Sequence, residues 1–171
     1  MDASRPFGHD AGVSEPPTID DACGVCRSIH GADRNPDEIV FENDLWHVRH
    51  GGSPYGVEGW MMLVTKSHTP GPWAFDDEQA RSLGPTLRHL TSRLLEVTAA
   101  ARIYTAWMGE SWPHFHAHLV PRYASMPKDA KAWGVFDLQR AAGAGEITVD
   151  HAEVRRLTAA FRSVLAVSPP P

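Results

Sequence analysis

Three histidines at every second position form the part of this chain with the clearest chemical potential. His114, His116 and His118 alternate with apolar residues. In an extended strand, successive side chains point to opposite faces, so the three imidazoles share one face and the apolar residues share the other. A solvated strand face normally mixes Thr, Lys, Glu and Ser. Three identical titratable side chains in register therefore indicate a functional site.

Two kinds of chemistry suit such a row of imidazoles. Neutral imidazoles can share one metal ion, as in a metallohydrolase. Alternatively, one imidazole can act as a nucleophile while its neighbours supply hydrogen bonds and electrostatic stabilisation. Hydrolytic zinc sites usually add a carboxylate or a distant histidine, and the sequence contains no H-E-x-x-H motif. The pattern therefore favours the nucleophile.

The only two cysteines, Cys23 and Cys26, form a Cys-x-x-Cys motif. This spacing occurs in redox pairs and in metal half-sites, and it also arises by chance. Redox motifs stand at the end of a strand in a βαβ unit, whereas these cysteines follow a Pro-, Gly- and Ser-rich N-terminal segment. The redox interpretation is the weaker one.

The elements that must position these residues follow from the spacing of apolar residues. Short apolar runs bounded by turn residues predict five strands, at 38–41, 45–50, 59–65, 103–108 and 115–120. A short helical turn should end at Gly31, and residues 125–145 are predicted to be irregular.

Leucines at helical spacing predict one long amphipathic helix, which a proline should kink or restart; they are Leu83, Leu87, Leu90 and Leu94, and the proline is Pro85. A final helix should begin at Asp150 with a capping box to Glu153, and its buried stripe should consist of Val154, Leu157, Phe161 and Leu165. The predicted fold class is α+β: an antiparallel sheet of about five strands with one long helix packed on it and a C-terminal helix.

Composition limits the function further. The 171 residues are 42% apolar and 22% charged, which suffices for one domain with a real core. The formal charge of −5 comes without any run of Lys or Arg, so no nucleic-acid polymer and no membrane surface is expected as a partner. No apolar stretch approaches the roughly 18 residues of a membrane helix.

The N-terminus lacks the features of a signal peptide, and we expect a cytoplasmic location. The predicted organisation is a flexible tail (1–20), a main domain (21–124) and a C-terminal extension (125–171).

The histidine run resembles the signature of a known family. The segment from His114 to Arg122 is similar to the His-φ-His-φ-His-φ-φ motif of the histidine-triad (HIT) family of nucleotide hydrolases and transferases. The likeness extends to the hairpin at 38–44 and to the run Leu63–His68, which looks like the family's strand ending in Pro-Lys-x-His. It covers residues 20 to 124 and implies a HIT-like fold and a homodimer.

The resemblance also implies a reaction. His116 would attack the α-phosphorus of a nucleotide conjugate, such as a phosphoramidate or a dinucleoside polyphosphate, and form a nucleotidyl-histidine. His118 would hydrogen-bond a phosphate oxygen, and Ser111 would contact phosphate and help to protonate the leaving group. The substrate is a small molecule, and four tryptophans are candidates to line its pocket: Trp46, Trp60, Trp107 and, as the first choice for binding, Trp112.

A subset of the family combines an early Cys-x-x-Cys with histidine ligands. Here the matching set is Cys23, Cys26, His68 and His114, which implies a structural Zn²⁺ site with four ligands and no organic cofactor. His30 and His47 are alternatives to His68.

Two positions depart from the family pattern. Glu110 replaces the Gln that usually precedes the Ser, and His50 or the pair Gly51 and Gly52 stands where an acidic residue would hold the ribose hydroxyls. Two alternatives to the hydrolase therefore stay open: a zinc-stabilised nucleotide-binding or scaffold module with little catalysis, and a hydrolase of non-nucleotide phosphoesters.

Overall fold

Five short strands form one antiparallel sheet in the computed structural model, which describes residues 16–171. In chain order they are β1 (Ile39–Glu42), β2 (Trp46–His50), β3 (Met61–Thr65), β4 (Arg102–Ala106) and β5 (His116–Arg122). Their order across the sheet is β1-β2-β3-β5-β4, so the histidine strand β5 lies inside the sheet. All five predicted strands are present, which confirms the α+β class.

Four α-helices surround the sheet: α1 (Gly24–His30), α2 (Asp77–Thr98), α3 (Val135–Gly143) and α4 (His151–Val167). Single 3₁₀ turns at Pro72–Ala74 and Ala132–Gly134 precede α2 and α3. Within the described residues, no helix combines the length and apolar character that a membrane span requires.

Helix α2 begins with a complete capping box. The Asp76 side chain accepts from the backbone N–H of Gln79, and the Gln79 side chain accepts from the backbone N–H of Asp76. The helix then continues through Pro85 as one element, so the predicted restart is wrong. Pro85 is exposed, and the carbonyl that loses its amide partner there can be hydrated.

Helix α4 begins where the sequence predicted. Asp150 caps it by accepting from the N–H groups of Ala152 and Glu153. The predicted capping box is only half correct, because Glu153 pairs with Arg156 while the Asp150 N–H donates to Glu58. The predicted apolar stripe is confirmed as buried: Val154, Leu157, Phe161 and Leu165.

The main core lies between one face of the sheet and helices α2 and α4. It contains Trp46, Val48, Met61, Leu63, Ala117 and Leu119 from the strands, Leu90 and Leu94 from α2, and Phe161 and Leu165 from α4. Because α4 fills the same core as the strands, the C-terminal extension and the sheet share one hydrophobic interior.

The opposite face of the sheet carries the polar and titratable side chains. Cross-strand pairing places His116 beside Val64, and His118 beside Met62. Helix α1 covers this face near Val64, while α3 packs near the other end of β5. Residues 125–145 were predicted to be irregular, and this is wrong, because α3 lies within them.

The predicted N-terminal tail falls largely outside the described residues, since 1–15 are not among them. Residues 16–20 are exposed and have no regular secondary structure. They are nevertheless tied to the fold, because the Thr18 carbonyl accepts from the backbone N–H of His68 at 2.7 Å.

Candidate active site and metal centre

Two cysteines and two histidines meet at the end of the sheet covered by α1. Cys23 caps α1 and Cys26 lies within it, while His68 follows β3 and His114 precedes β5. One ligand atom from each residue lies within 4.8 Å of all the others. The Nδ1 atom of His114 is 3.4 Å from the Sγ of Cys26 and 3.7 Å from that of Cys23. The Nδ1 atom of His68 is 3.5 Å from the Sγ of Cys26.

These separations fit a tetrahedral metal site. With metal–sulfur bonds of about 2.3 Å and metal–nitrogen bonds of about 2.0 Å, tetrahedral angles place the ligand atoms about 3.3 to 3.8 Å apart. The predicted set of four residues could therefore hold a metal ion. The two alternatives to His68 lie elsewhere: His30 Nε2 contacts the Lys66 carbonyl at 2.8 Å, and His47 Nδ1 contacts Glu42 at 2.8 Å.

Further contacts orient the two histidines of the cluster. His114 Nε2 lies 2.8 Å from the carbonyl oxygen of Thr65. Because a carbonyl only accepts, His114 Nε2 carries the proton and its Nδ1 lone pair points toward the cysteines. His68 Nε2 faces the Asp20 carboxylate at 3.9 Å, which leaves its Nδ1 for the cluster in the same way.

Burial disfavours charge in this cluster when no cation is bound. It raises the pKa of the Cys26 thiol, and it lowers the pKa of His114 to about 4. A divalent cation would supply the positive charge that two buried thiolates need.

His116 has its Nδ1 atom 2.6 Å from the carbonyl oxygen of His114. That carbonyl can only accept, so Nδ1 carries the proton and Nε2 keeps a free lone pair. The side chain of His116 lines a cavity on this face of the sheet. An imidazole whose Nδ1–H is held by a carbonyl and whose ring lines a cavity can present Nε2 as a nucleophile.

His118 is held in the opposite tautomer. The indole N–H of Trp60 donates to His118 Nδ1 at 3.1 Å, and an indole N–H can only donate. His118 therefore carries its proton on Nε2. Burial, together with the charges of His116 and Arg49, lowers its pKa to about 4, so the ring stays neutral at neutral pH. In the same cavity, His118 can therefore donate a hydrogen bond from Nε2 to a ligand, while His116 can use its Nε2 lone pair to attack that ligand.

The cavity beside these two histidines has a volume of about 340 Å³. Its lining brings together Ser111, His116 and His118, the three residues that the sequence analysis predicted to be catalytic. That role stays a prediction. The other walls of the cavity come from the β2–β3 loop, the β4–β5 loop and α3. The cavity lining also contains the residues that differ from the family pattern: Glu110 and the pair Gly51 and Gly52.

Trp112 lies away from this cavity. Its ring packs against α1, where a Cβ on Gly24 would come within 2.9 Å of it, and the Arg27 guanidinium lies 5.9 Å from the ring centre. A role for Trp112 in substrate binding stays a prediction. Among the other candidate tryptophans, Trp60 lines the cavity and Trp46 belongs to the core.

Several cavity residues escaped the sequence reasoning, among them Phe136 and Gln139 on α3. Their segment showed no clear apolar periodicity and was predicted to be irregular. The nine-residue α3 is too short for a strong periodic signal, so only tertiary packing reveals their place.

Comparison with solved structures identifies the fold. No protein-family model and no curated protein sequence matches the chain. A HIT-like protein of Bartonella henselae involved in cell-cycle regulation superposes with a TM-score of 0.60 at 14% identity, over 86% of this chain and 99% of that one. A hypothetical histidine triad nucleotide-binding protein of Sulfolobus tokodaii gives 0.61 at 14% identity, over 85% and 93%. A zinc-bound histidine triad family protein of Mycobacterium smegmatis gives 0.58 at 17% identity, over 86% and 98%.

These likenesses define the class of fold. The chain has the histidine-triad fold, as its His114–Arg122 segment predicted, and the likeness extends well into the C-terminal residues.

Proposed function

We propose that this protein is a hydrolase or nucleotidyl transferase that acts at the α-phosphate of a nucleotide conjugate, a phosphoramidate or a dinucleoside polyphosphate. The reaction passes through a covalent nucleotidyl-histidine on His116. The observation that carries this proposal is the pair of opposite tautomers in one cavity: His116 offers a lone pair at Nε2, and His118 offers a proton at Nε2. The histidine-triad fold of the nucleotide-binding protein from Sulfolobus tokodaii supports it.

In the first step, the Nε2 lone pair of His116 forms a bond to phosphorus while the bond from phosphorus to the leaving group breaks. His118 donates its Nε2–H to a phosphate oxygen and stabilises the charge that develops there. Ser111 passes a proton to the departing nitrogen or oxygen and regains one from solvent. In the second step, a water oxygen bonds to phosphorus, the N–P bond breaks, the electron pair returns to Nε2, and the water proton leaves to solvent. In a transfer reaction, another hydroxyl or amine takes the place of water.

The His114 carbonyl assists both steps. While the N–P bond exists, the His116 ring carries positive charge, and the carbonyl that accepts from its Nδ1–H stabilises that charge. The same contact fixes the ring so that Nε2 faces the cavity. His116 is therefore positioned before substrate arrives, which lowers the entropic cost of the attack.

We also propose that Cys23, Cys26, His68 and His114 bind a structural Zn²⁺. All four ligand positions would belong to the protein, so the ion supplies cross-linking of the fold and leaves no open position for substrate. The distances within the cluster and the outer contacts of both histidines support this assignment. The zinc-bound structural neighbour from Mycobacterium smegmatis supports zinc as the ion.

Two further features belong to the proposal. We expect a homodimer, which sedimentation equilibrium should show as twice the chain mass of 18.8 kDa.

The alternative function is a zinc-stabilised nucleotide-binding module with little catalysis. Glu110 favours that alternative, because its carboxylate lies in the cavity lining and opposes the additional negative charge that develops on the phosphate oxygens during the reaction.

The test is direct observation of the intermediate. The protein is mixed with adenosine 5′-phosphoramidate or a diadenosine polyphosphate, quenched, and analysed by mass spectrometry for added nucleoside monophosphate on His116. His116→Ala should abolish turnover, whereas His89→Ala, on α2 across the sheet, should retain it. Equal turnover by wild type and His116→Ala would eliminate the nucleophile. Nucleotide binding without turnover or adduct would establish the binding module instead.

A further inference from the structure

The C-terminal extension contributes a wall to the cavity. Helix α3 places Phe136 and Gln139 in the lining, which also includes Ser111 from the β4–β5 loop. Gln139 holds α3 to the β2–β3 loop at two points: its Oε1 accepts from the N–H of Gly56 at 3.0 Å, and its Nε2 donates to the carbonyl of Pro54. A Cβ on Gly56 would lie 2.7 Å from the α3 backbone, so the loop and the helix are in close contact.

Phe136 also touches the catalytic residues from this wall. Its ring meets the ring of Trp60 at 5.2 Å and the ring of His118 at 5.4 Å, both edge to face. Such aromatic pairs hold a defined orientation. An organic group attached to a phosphorus at His116 therefore meets a wall of aromatic side chains.

The polar side chains of this wall are already engaged. His50 donates from Nδ1 to the Gly51 carbonyl and accepts at Nε2 from the Gly59 N–H. The Tyr55 hydroxyl donates to the Glu38 carboxylate at 3.1 Å. Glu38 in turn pairs with the partly buried Arg49. None of these contacts leaves a carboxylate directed at the cavity.

A ribose diol is commonly recognised by an Asp or Glu that accepts from its hydroxyls. Among the described residues that line the cavity, Glu110 is the only acid, and it immediately precedes Ser111, the residue assigned to the phosphate. Hydroxyl groups placed against the α3 wall would lose water without gaining a carboxylate partner, which is unfavourable. Besides Phe136, the cavity lining contains four apolar side chains: Val57, Trp60, Met62 and Met108.

We propose that this site is not restricted to nucleotide conjugates: it also accepts phosphoramidates and phosphoesters whose phosphorus carries a flat, apolar aryl group, because ribose hydroxyls contribute nothing to recognition. Phe136 is a specificity-determining residue for that group. The inference rests on the proposed function, since it takes His116 as the nucleophile. It assigns the substrate class of the same cavity.

Three substrates with the same leaving group test the substrate class: the phosphoramidate monoesters of phenol, adenosine and 2′,3′-dideoxyadenosine. We expect kcat/KM for the phenyl ester to equal or exceed that for the adenosyl ester. The two adenosyl compounds should differ by less than about threefold, whereas a site built to bind a hydroxyl rejects the analogue lacking it by about 10⁴-fold. A larger difference in favour of the ribonucleoside, or a preference for adenosyl over phenyl, would overturn the inference. Failure of all three to label His116 would instead overturn the proposed function.

A second experiment tests the role of Phe136 by measuring the preference for an aryl over an alkyl ester. Wild type should prefer the phenyl ester over the methyl ester, and Phe136→Ala should reduce that preference about tenfold, chiefly through KM. Phe136→Leu should restore part of it, and Asp137→Ala, on the exposed side of α3, should leave it unchanged. An equal loss for both esters in Phe136→Ala would assign Phe136 a merely structural role and contradict the proposal.

Discussion

The Nδ1 atom of His116 lies 2.6 Å from the carbonyl oxygen of His114. The same His114 directs its own Nδ1 at the two cysteines. One residue thus belongs to the proposed metal site through its side chain and orients the proposed nucleophile through its backbone. Stability of the metal centre and reactivity of His116 should therefore be linked.

That link predicts the effect of removing one cluster ligand. Cys23→Ser should lower the melting temperature by about 10 °C or more, because a structural metal contributes several kcal/mol to folding. Wild type should contain about one zinc per chain by elemental analysis. Activity per folded molecule should also fall, but less than in His116→Ala, because the His114 carbonyl that orients His116 is still present. Ser163→Ala, an exposed hydroxyl on α4, is the matched control.

Measurements on wild type in a chelator could contradict the proposed zinc site. If wild type contained no metal and kept its full melting temperature in a strong chelator, the structural zinc site would be wrong.

Trp60 should control the tautomer of His118. Trp60→Phe removes the indole N–H that donates to His118 Nδ1 and keeps most of the aromatic surface. The loss of that donor should let His118 populate both neutral tautomers, which long-range ¹⁵N–¹H NMR spectra distinguish, and kcat should fall about tenfold. Trp73→Phe, at an exposed tryptophan in the turn before α2, should change neither quantity. An unaltered tautomer with kcat near that of wild type would remove Trp60 from the mechanism.

Buried histidines should make folding stability depend on pH. Burial lowers the pKa of His50 below its ordinary value of about 6.5. The unfolded chain therefore takes up a proton that the folded chain resists, so the stabilisation is complete above pH 6.5 and is lost as the pH falls below it. Each such histidine adds a slope of up to about 1.4 kcal/mol per pH unit.

Urea unfolding between pH 7.5 and 5 measures this slope. His50→Gln can keep both backbone contacts and removes the titrating group, so its stability should fall less steeply with acid than that of wild type. Loss of metal at low pH affects both proteins and cancels in the comparison. Parallel curves would show that His50 titrates alike in the folded and unfolded states.

Phe161 tests whether the C-terminal extension folds with the sheet. This ring on α4 is fully buried in the main core. Phe161→Ala should lower the free energy of unfolding by about 3 to 5 kcal/mol, because it leaves a cavity there. Arg155→Ala, exposed on the same helix, should change it by less than about 0.5 kcal/mol. A small loss in Phe161→Ala would mean that α4 docks onto an independently stable sheet.

Much of the fold follows from local patterns. The five strands appear where apolar runs lie between turn residues, and the α4 stripe follows from its 3.6-residue period, because burial of one face imposes these spacings directly. Pro85 shows the limit of local rules, since α2 tolerates it on the solvent side. Helix α3 shows another limit, because a short helix is stabilised by what it packs against.

The sequence by itself determined the types and spacing of the reactive residues: three alternating histidines, a Cys-x-x-Cys pair, and a further histidine after β3. Alternate side chains along a strand lie on one face because of local backbone geometry, and this does not depend on contacts with residues distant in the chain. Only the tertiary structure decided that His68, rather than His30 or His47, meets the cysteines. It also decided which nitrogen of His116 and of His118 carries the proton, and it brought Phe136 to the cavity. Those outcomes depend on partners distant along the chain, including a backbone carbonyl and an indole N–H, and such contacts form only when the sheet and its helices pack together.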